Sequence, residues 1–119
     1  MITREEILKG QTIPPEFEAN LAELLKRLNK FRAIYGKPMT VVSGYRSVEH
    51  NKKIGGAKLS RHCVCMACDF ADFDGQLKEW IADHPEVLEQ CDLYMEDPKV
   101  TPTWVHLDIL TRKTRVFKP

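Results

Sequence analysis

The chain has 119 residues, which is the usual size of one domain and too short for two ordinary ones. Its 18 Lys and Arg residues balance 17 Asp and Glu residues, and the formal net charge is +1. This balance argues against a nucleic-acid-binding protein, because such proteins usually carry a basic excess on one face. No apolar run approaches the roughly 18 residues that cross a bilayer, so we also expect no insertion into a membrane.

The N-terminal stretch MITREEILKG lacks the charged start, apolar segment and cleavage site of a signal peptide. We therefore expect a cytoplasmic protein that leaves the cell only by lysis or by a route not written in its sequence. Three of the four cysteines, Cys63, Cys65 and Cys68, fall within six residues, too close together to staple a fold. We expect one domain over residues 1–119, and a monomer.

The pattern of apolar residues, caps and breakers predicts both helices and strands. In chain order these are a helix over residues 3–9, a helix over 15–35, a strand over 39–43, a helix over 47–54, a strand over 65–71, a helical region over 75–91, and strands over 93–95, 104–109 and 114–117. The first helix opens with a capping box of Thr3 and Glu6, Gly36 ends the second, and Pro85 splits the helical region. Helices come first and strands crowd together late, which favours an α+β domain with a small, mainly antiparallel sheet packed with helices.

Two histidines and one aspartate are candidate metal ligands: His62 at the end of a polar loop, Asp69 in the second strand, and His106 in a later strand. A catalytic zinc site needs three nitrogen or oxygen ligands and leaves a fourth position for water. Strands are stiff supports for ligands that must hold a metal accurately. These residue types alone are common, and a surface histidine, a capping aspartate and a packed strand histidine would look the same.

Four motifs surround these residues in order. They are SGYRS at 43–47, N-x3-GGA with Asn51 and residues 55–57, S-x-H-x6-D with Ser60, His62 and Asp69, and WVHLDI at 104–109. Over residues 38–110 the chain resembles the zinc D-Ala-D-Ala carboxypeptidase family of metallopeptidases, and most closely its short, one-domain bacteriophage members. The resemblance implies the hedgehog/D-Ala-D-Ala-peptidase fold, one zinc ion per chain, and cleavage of peptide bonds in bacterial peptidoglycan.

The resemblance also implies roles for single residues. His62, Asp69 and His106 match the zinc ligands of the family, and Arg46 matches an arginine that stabilises charge on the substrate carbonyl. A guanidinium suits that role because it is always charged and presents a fork of donors. Ser60 matches a position near the substrate, and Tyr45 flanks the motif and is a candidate for the substrate groove. The alternatives are an Arg46 that pins a loop, a Ser60 bonded to backbone, and a Tyr45 in the core.

The chain departs from the family pattern H-x-x-G-x-A-x-D. Cys65 stands where the family has glycine, and Cys63 and Cys68 are added. A thiolate binds zinc well, so a closed structural site that recruits Cys63 or Cys65 is one interpretation. A strand would place Cys65 and Asp69 on one face, in partial support. The interpretation that we favour is that these are small buried core residues.

A second departure concerns the general base. Several relatives carry an acid three residues before the final histidine, and here that residue is Thr103. Glu96 and Asp97, in the loop before the strand, and Asp108, two residues after His106, are the nearest candidates. We prefer Glu96, because a loop at the rim can reach the water. Asp108 shares a strand face with His106, so it is either a base or a partner that orients the imidazole.

The sequence therefore predicts a zinc peptidase whose partner is a peptidoglycan peptide, cut by carboxypeptidase or endopeptidase chemistry. A lysis enzyme released through membrane holes, or a virion component, would need no signal peptide of its own. Thr103 keeps open an inactive zinc-binding structural or interaction module on the same fold. A structural zinc or redox site built on His62 and the three clustered cysteines is a third interpretation.

Overall fold

The computed structural model of the chain describes residues 1–56 and 60–119; Ala57, the last residue of the N-x3-GGA motif, lies outside them. The described residues form the helices α1 (Arg4–Leu8), α2 (Glu18–Tyr35), α3 (Val48–Lys53), α4 (Gln76–Asp83) and α5 (Glu86–Cys91), and the strands β1 (Val41–Ser43), β2 (Ala67–Ala71), β3 (Tyr94–Glu96), β4 (Trp104–Asp108) and β5 (Val116–Phe117). Within this part of the chain, no helix is long and apolar enough to cross a bilayer.

The strands form one sheet in the order β1-β2-β4-β3-β5. The β1–β2, β2–β4 and β3–β4 pairs are antiparallel, and the edge pair β3–β5 is parallel. The expected α+β architecture with a small, mainly antiparallel sheet is therefore confirmed.

The two faces of the sheet differ because side chains alternate along a strand. One face belongs to the buried core, which also contains the apolar stripe of α2. Its strand residues are Cys68, Phe70, Val105, Leu107 and Met95, and the α2 residues are Leu21, Leu24, Leu28 and Phe31. The other face carries the alternate residues of the same strands, among them Asp69, Glu96 and His106. The chain thus buries one face of the sheet under helices and leaves polar side chains on the opposite face.

Gly44 of the SGYRS motif follows β1 and packs against the backbone of Ile7 in α1. A Cβ at this position would collide with the carbonyl oxygen of Ile7, and the next amide, that of Tyr45, donates to the same oxygen at 2.9 Å. Helix α1 itself begins with the expected capping box, in which Thr3 and Glu6 cap each other's backbone amides. The glycine of this motif is therefore required by the close approach of two backbone segments.

The segment before β2 corrects one prediction. The expected strand over 65–71 begins only at Ala67, because Arg61–Val64 form a 3₁₀ turn and Cys65 is left-handed, with φ 60° and ψ 35°. Cys65 therefore does not share a strand face with Asp69, as the sequence suggested. The position favours glycine because a Cβ is strained in the left-handed region. This conformation explains the glycine of the family pattern.

We expect Cys65→Gly to be more stable than Cys65→Ala by about 1 kcal/mol, because both variants lose the buried thiol and only glycine relieves the left-handed strain. Chemical unfolding under reducing conditions would measure the difference. Cys91 is the matched control, since it is also buried but lies in helix α5. There alanine should be the more stable variant by about 1 kcal/mol. The same order at both positions would contradict the prediction.

Candidate metal centre

The pairing of the strands builds one row of side chains across the open face. Asp69 on β2 lies directly opposite His106 on β4. Met95 pairs with Leu107, so the next step of that register puts Glu96 beside His106. Glu96 in turn pairs with Phe117 on β5. Cross-strand partners share a face with Cβ atoms about 5 Å apart, and the row therefore brings a carboxylate to each side of His106.

His62 reaches this row from the 3₁₀ turn before β2. The hydroxyl of Ser60 caps the turn by accepting from the His62 amide at 3.2 Å, and the Arg46 amide donates to the His62 carbonyl at 3.2 Å. The ring Nδ1 lies 2.8 Å from the carbonyl oxygen of Gly44. A carbonyl only accepts, so Nδ1 carries the hydrogen and Nε2 keeps its lone pair. The backbone thus selects the tautomer that presents Nε2 to the site.

The three candidate ligands converge on one point. Asp69 Oδ1 lies 3.3 Å from His62 Nε2 and 2.8 Å from His106 Nδ1. All three ligand atoms fall within 4.8 Å of one another. Tetrahedral zinc with bonds of about 2.05 Å needs donors about 3.3 Å apart, close to this spacing. His62 Nε2 is buried and has no hydrogen-bond partner among the described residues. The donor set and the orphaned nitrogen both fit a zinc ion.

His106 is oriented from its other side by Asp108. Its Nε2 lies 2.9 Å from Asp108 Oδ2, which leaves Nδ1 facing Asp69. The Asp108 side chain is completely buried and also accepts from Arg112 at 2.9 Å. A metal-binding histidine usually donates its second N–H to a carboxylate in this way. The geometry of Asp108 therefore favours the orienting role over that of a base.

The charged groups shift each other's pKa values. Burial raises the pKa of Asp69, but the two adjoining imidazole rings, that of His106 through a hydrogen bond, lower it more, and the net pKa lies well below its ordinary value. Burial lowers the pKa of His106, but its hydrogen bonds to Asp108 and Asp69 raise it more, to about 9. In the metal-free protein at neutral pH, His106 is therefore a cation between two carboxylates. A metal must displace its Nδ1 proton.

This shift predicts a pH dependence of the metal-free protein. The folded pKa of His106, about 9, lies above its ordinary value of 6.5, so its stabilising contribution is full below pH 6.5 and is lost as the pH rises through 9. An NMR titration of the zinc-free chain should give a His106 midpoint near 9. Asp108→Asn should lower the midpoint toward 6.5, and Asp97→Asn should leave it unchanged. A wild-type midpoint near 6.5 would contradict the prediction.

The row opens into a cleft of about 340 Å³. Arg46 lies on its wall with Nη2 3.8 Å from Asp69 Oδ2, and its Nη1 donates to Asn51 Oδ1 at 3.1 Å. A Cβ on Gly56 would collide with Asn51 Oδ1 and lie 3.1 Å from Arg46 Nη1. The motif N-x3-GGA therefore seats the arginine, since Asn51 holds it and Gly56 leaves room for that contact.

The sequence pattern of one family, described as peptidase M15, matches residues 1–108. The chain belongs to the peptidase M15 family. This confirms the resemblance carried by the four motifs. Comparison with curated proteins finds no match.

Only some of the remaining predicted residues line the cleft of this peptidase M15 chain. Ser60 and Glu96 line it, and so does Trp104. Tyr45 is not among its described lining residues and packs against the core, so a substrate contact by Tyr45 stays a prediction. Asp97 caps the amide of Lys99 at 3.0 Å. Glu96 is the last residue of β3 and does not lie in the loop where the sequence placed it. Of Glu96 and Asp97, Glu96 is the one that lines the cleft.

The clustered cysteines are not among the described residues that line this M15 cleft. Cys65 and Cys68 belong to the buried core, and burial raises the pKa of both thiols. Within residues 1–56 and 60–119, the cluster of possible metal ligands is His62, Asp69 and His106, without a cysteine. This arrangement favours the core interpretation for Cys65 and Cys68 over a cysteine-based zinc site. Cys63, which was also expected in the core, is half-buried and lies outside the core cluster.

Arg112 and Phe117 are among the cleft residues that sequence reasoning missed. Arg112 lies in the turn after β4, four residues beyond Asp108, and Phe117 is the last residue of β5. The sequence pointed to Phe117 only by placing it in a predicted strand. So short a strand does not reveal which residues it pairs with at the edge of a sheet. No feature of the sequence pointed to Arg112 as a cleft residue, because it is one of several basic residues in a polar turn.

Proposed function

We propose that the chain is a zinc metallopeptidase that hydrolyses peptide bonds of bacterial peptidoglycan, as a carboxypeptidase or an endopeptidase. One observation carries the proposal: His62, Asp69 and His106 converge in a cleft of a peptidase M15 domain, and the buried Nε2 of His62 has no hydrogen-bond partner among the described residues. Such a nitrogen is costly unless a ligand uses it.

His62, Asp69 and His106 would hold one zinc ion, with His62 fixed through Gly44 and His106 through Asp108. Zinc in such a site polarises the scissile carbonyl and lowers the pKa of a bound water. Arg46 lies beside the site, with Nη2 3.8 Å from Asp69 Oδ2. Its guanidinium can donate to the carbonyl oxygen of the substrate as negative charge develops there, which is worth about 10²–10³ in rate for one such donor.

Glu96 is the proposed general base. It is half-buried, lines the cleft, and sits beside His106 in the row across the sheet. A carboxylate there can accept a proton from the attacking water and return it to the leaving amine. Thr103, at the usual position of the acid, is exposed immediately before β4. The neighbouring strand β3 thus supplies an acid in place of Thr103.

The charge of the cleft supports an anionic peptide as substrate. Its charged lining residues are Arg46, Arg61, Arg112, Asp69, Glu96 and Asp108. Three cations and three anions cancel, so the cleft is net positive once a divalent metal is bound. Stem peptides of peptidoglycan end in carboxylates, which such a cleft attracts. Lysis-type release or packaging in a virion would bring the enzyme to this substrate.

The test uses the wild-type chain, purified with its bound metal. We expect one zinc per chain and release of stem or cross-link fragments from purified peptidoglycan. A chelator should abolish the activity, and zinc should restore it. The identity of the fragments would distinguish carboxypeptidase from endopeptidase cleavage. Stoichiometric zinc without fragments would indicate an inactive zinc-binding module instead of a peptidase. A chain that takes up no zinc would contradict both of these functions.

A further inference from the structure

The C-terminal segment of the chain contributes to the cleft although the family pattern does not include it. The match to the peptidase M15 family ends at residue 108, and residues 109–119 lie beyond it. Arg112, Phe117 and Pro119 from this segment nevertheless line the cleft. The roles implied by the family therefore do not account for what these residues do.

Arg112 is joined to the metal centre through one carboxylate oxygen. Its Nη2 donates to Asp108 Oδ2 at 2.9 Å, and His106 Nε2 lies 2.9 Å from the same oxygen. The Asp108 side chain is 0% exposed and that of Arg112 is 25% exposed. Asp108 Oδ1 is occupied separately, by the amide of Leu110 at 3.3 Å. The position of Oδ2 is thus set by two donors, one from the arginine and one from the histidine.

The ring of Phe117 lies against the guanidinium of Arg112. The guanidinium carbon lies 3.5 Å from the centroid of the Phe117 ring. The same ring meets His106 edge-on, with centroids 5.9 Å apart and an angle of 82° between the planes. A flat guanidinium can stack on a ring and still present a donor in its own plane, which an ammonium cannot do. The aromatic ring therefore fixes the direction in which Arg112 donates.

We propose that Arg112 is a positioning residue for the metal ligand His106. By holding Asp108, it keeps the acceptor for the His106 Nε2 hydrogen in place, so that Nδ1 is presented to the metal beside Asp69. The role rests on the zinc site proposed above. Loss of an outer partner of this kind costs about 10–100-fold in metal affinity. Residues 112–117 thereby complete a site whose ligands all lie within the family match.

The experiment compares zinc affinity, measured by competition with a chromogenic chelator, in the wild type, Arg112→Ala, Arg112→Lys and Arg115→Ala. Arg115 is the matched control, because it comes from the same segment, lies 4.4 Å over the Tyr94 ring and pairs with Asp92 at 2.9 Å. It is not among the described residues of the cleft. We expect Arg112→Ala to bind zinc about 10–100-fold more weakly, Arg112→Lys to recover part of this loss, and Arg115→Ala to match the wild type.

Two results would overturn the role of Arg112 while leaving the zinc site intact: Arg112→Ala that binds zinc as tightly as the wild type, or equal losses in Arg112→Ala and Arg115→Ala. Should the alanine variant not fold, Arg112→Gln keeps the bulk and one donor without the charge. It should weaken zinc binding by about 10-fold, and unchanged affinity would equally overturn the role. A wild-type chain that binds no zinc would instead remove the proposed function, and this role with it.

Discussion

Replacing His106 with alanine should abolish both zinc binding and hydrolysis. His106 supplies one of three converging ligand atoms, and its Nδ1 lies 2.8 Å from the ligand oxygen of Asp69. With two protein ligands left, we expect the purified variant to hold less than about 0.1 zinc per chain, since catalytic zinc sites use three. Loss of the metal removes several kcal/mol of transition-state stabilisation, so hydrolysis should fall by at least about 10³-fold. Metal analysis and fragment release from peptidoglycan would measure the two effects.

His84→Ala is the control for this experiment. His84 is exposed, stacks on the Trp80 ring at 4.5 Å, and lies outside the described lining of the cleft. It should retain one zinc and full activity. Because His106→Ala also leaves two carboxylates facing each other without a cation, His106→Gln serves as a second variant that keeps a donor for Asp108. Full zinc content in both His106 variants would show that the metal binds elsewhere.

Most of the predicted site residues came from the motifs, because residue type and spacing alone do not indicate a metal site. His106 is far in sequence from His62 and Asp69, and all three are of common types, so their convergence depends on the pairing of β2 with β4. Once that pairing exists, Asp69 and His106 must be neighbours, since they occupy opposite positions in the register. The parity argument for Asp108 succeeded for the same reason: residues two apart on a strand share a face.

The sequence led to a wrong prediction of the backbone conformation at Cys65. Cys65 looked like the first residue of a strand because apolar and small residues follow it without a break. The 3₁₀ turn at residues 61–64 ends instead in a left-handed residue. Nothing in a cysteine signals a positive φ, whereas the glycine of the family pattern would have signalled it. The contact of Arg112 with Asp108, four residues earlier, could not be predicted either, because it depends on the path of the turn after β4.

Glu96→Gln should separate metal binding from catalysis. The amide has the size of the carboxylate but cannot accept a proton, and Glu96 is not one of the three converging ligands. We therefore expect one zinc per chain, as in the wild type, and a kcat lower by about 10²–10⁴-fold, the usual contribution of a general base. Zinc content and the rate of fragment release, measured on the same preparation, would test both parts.

Asp97→Asn is the matched control for Glu96→Gln, because Asp97 adjoins Glu96 but caps the Lys99 amide outside the described cleft. Its kcat should stay near that of the wild type. Asp108→Asn should behave differently from both, with weaker zinc binding, since its carboxylate orients His106. A Glu96→Gln variant with wild-type kcat would exclude Glu96 as the base. Since Asp108 is fully buried and already accepts from His106 and Arg112, the proton would then have to be taken by a group other than these two acids.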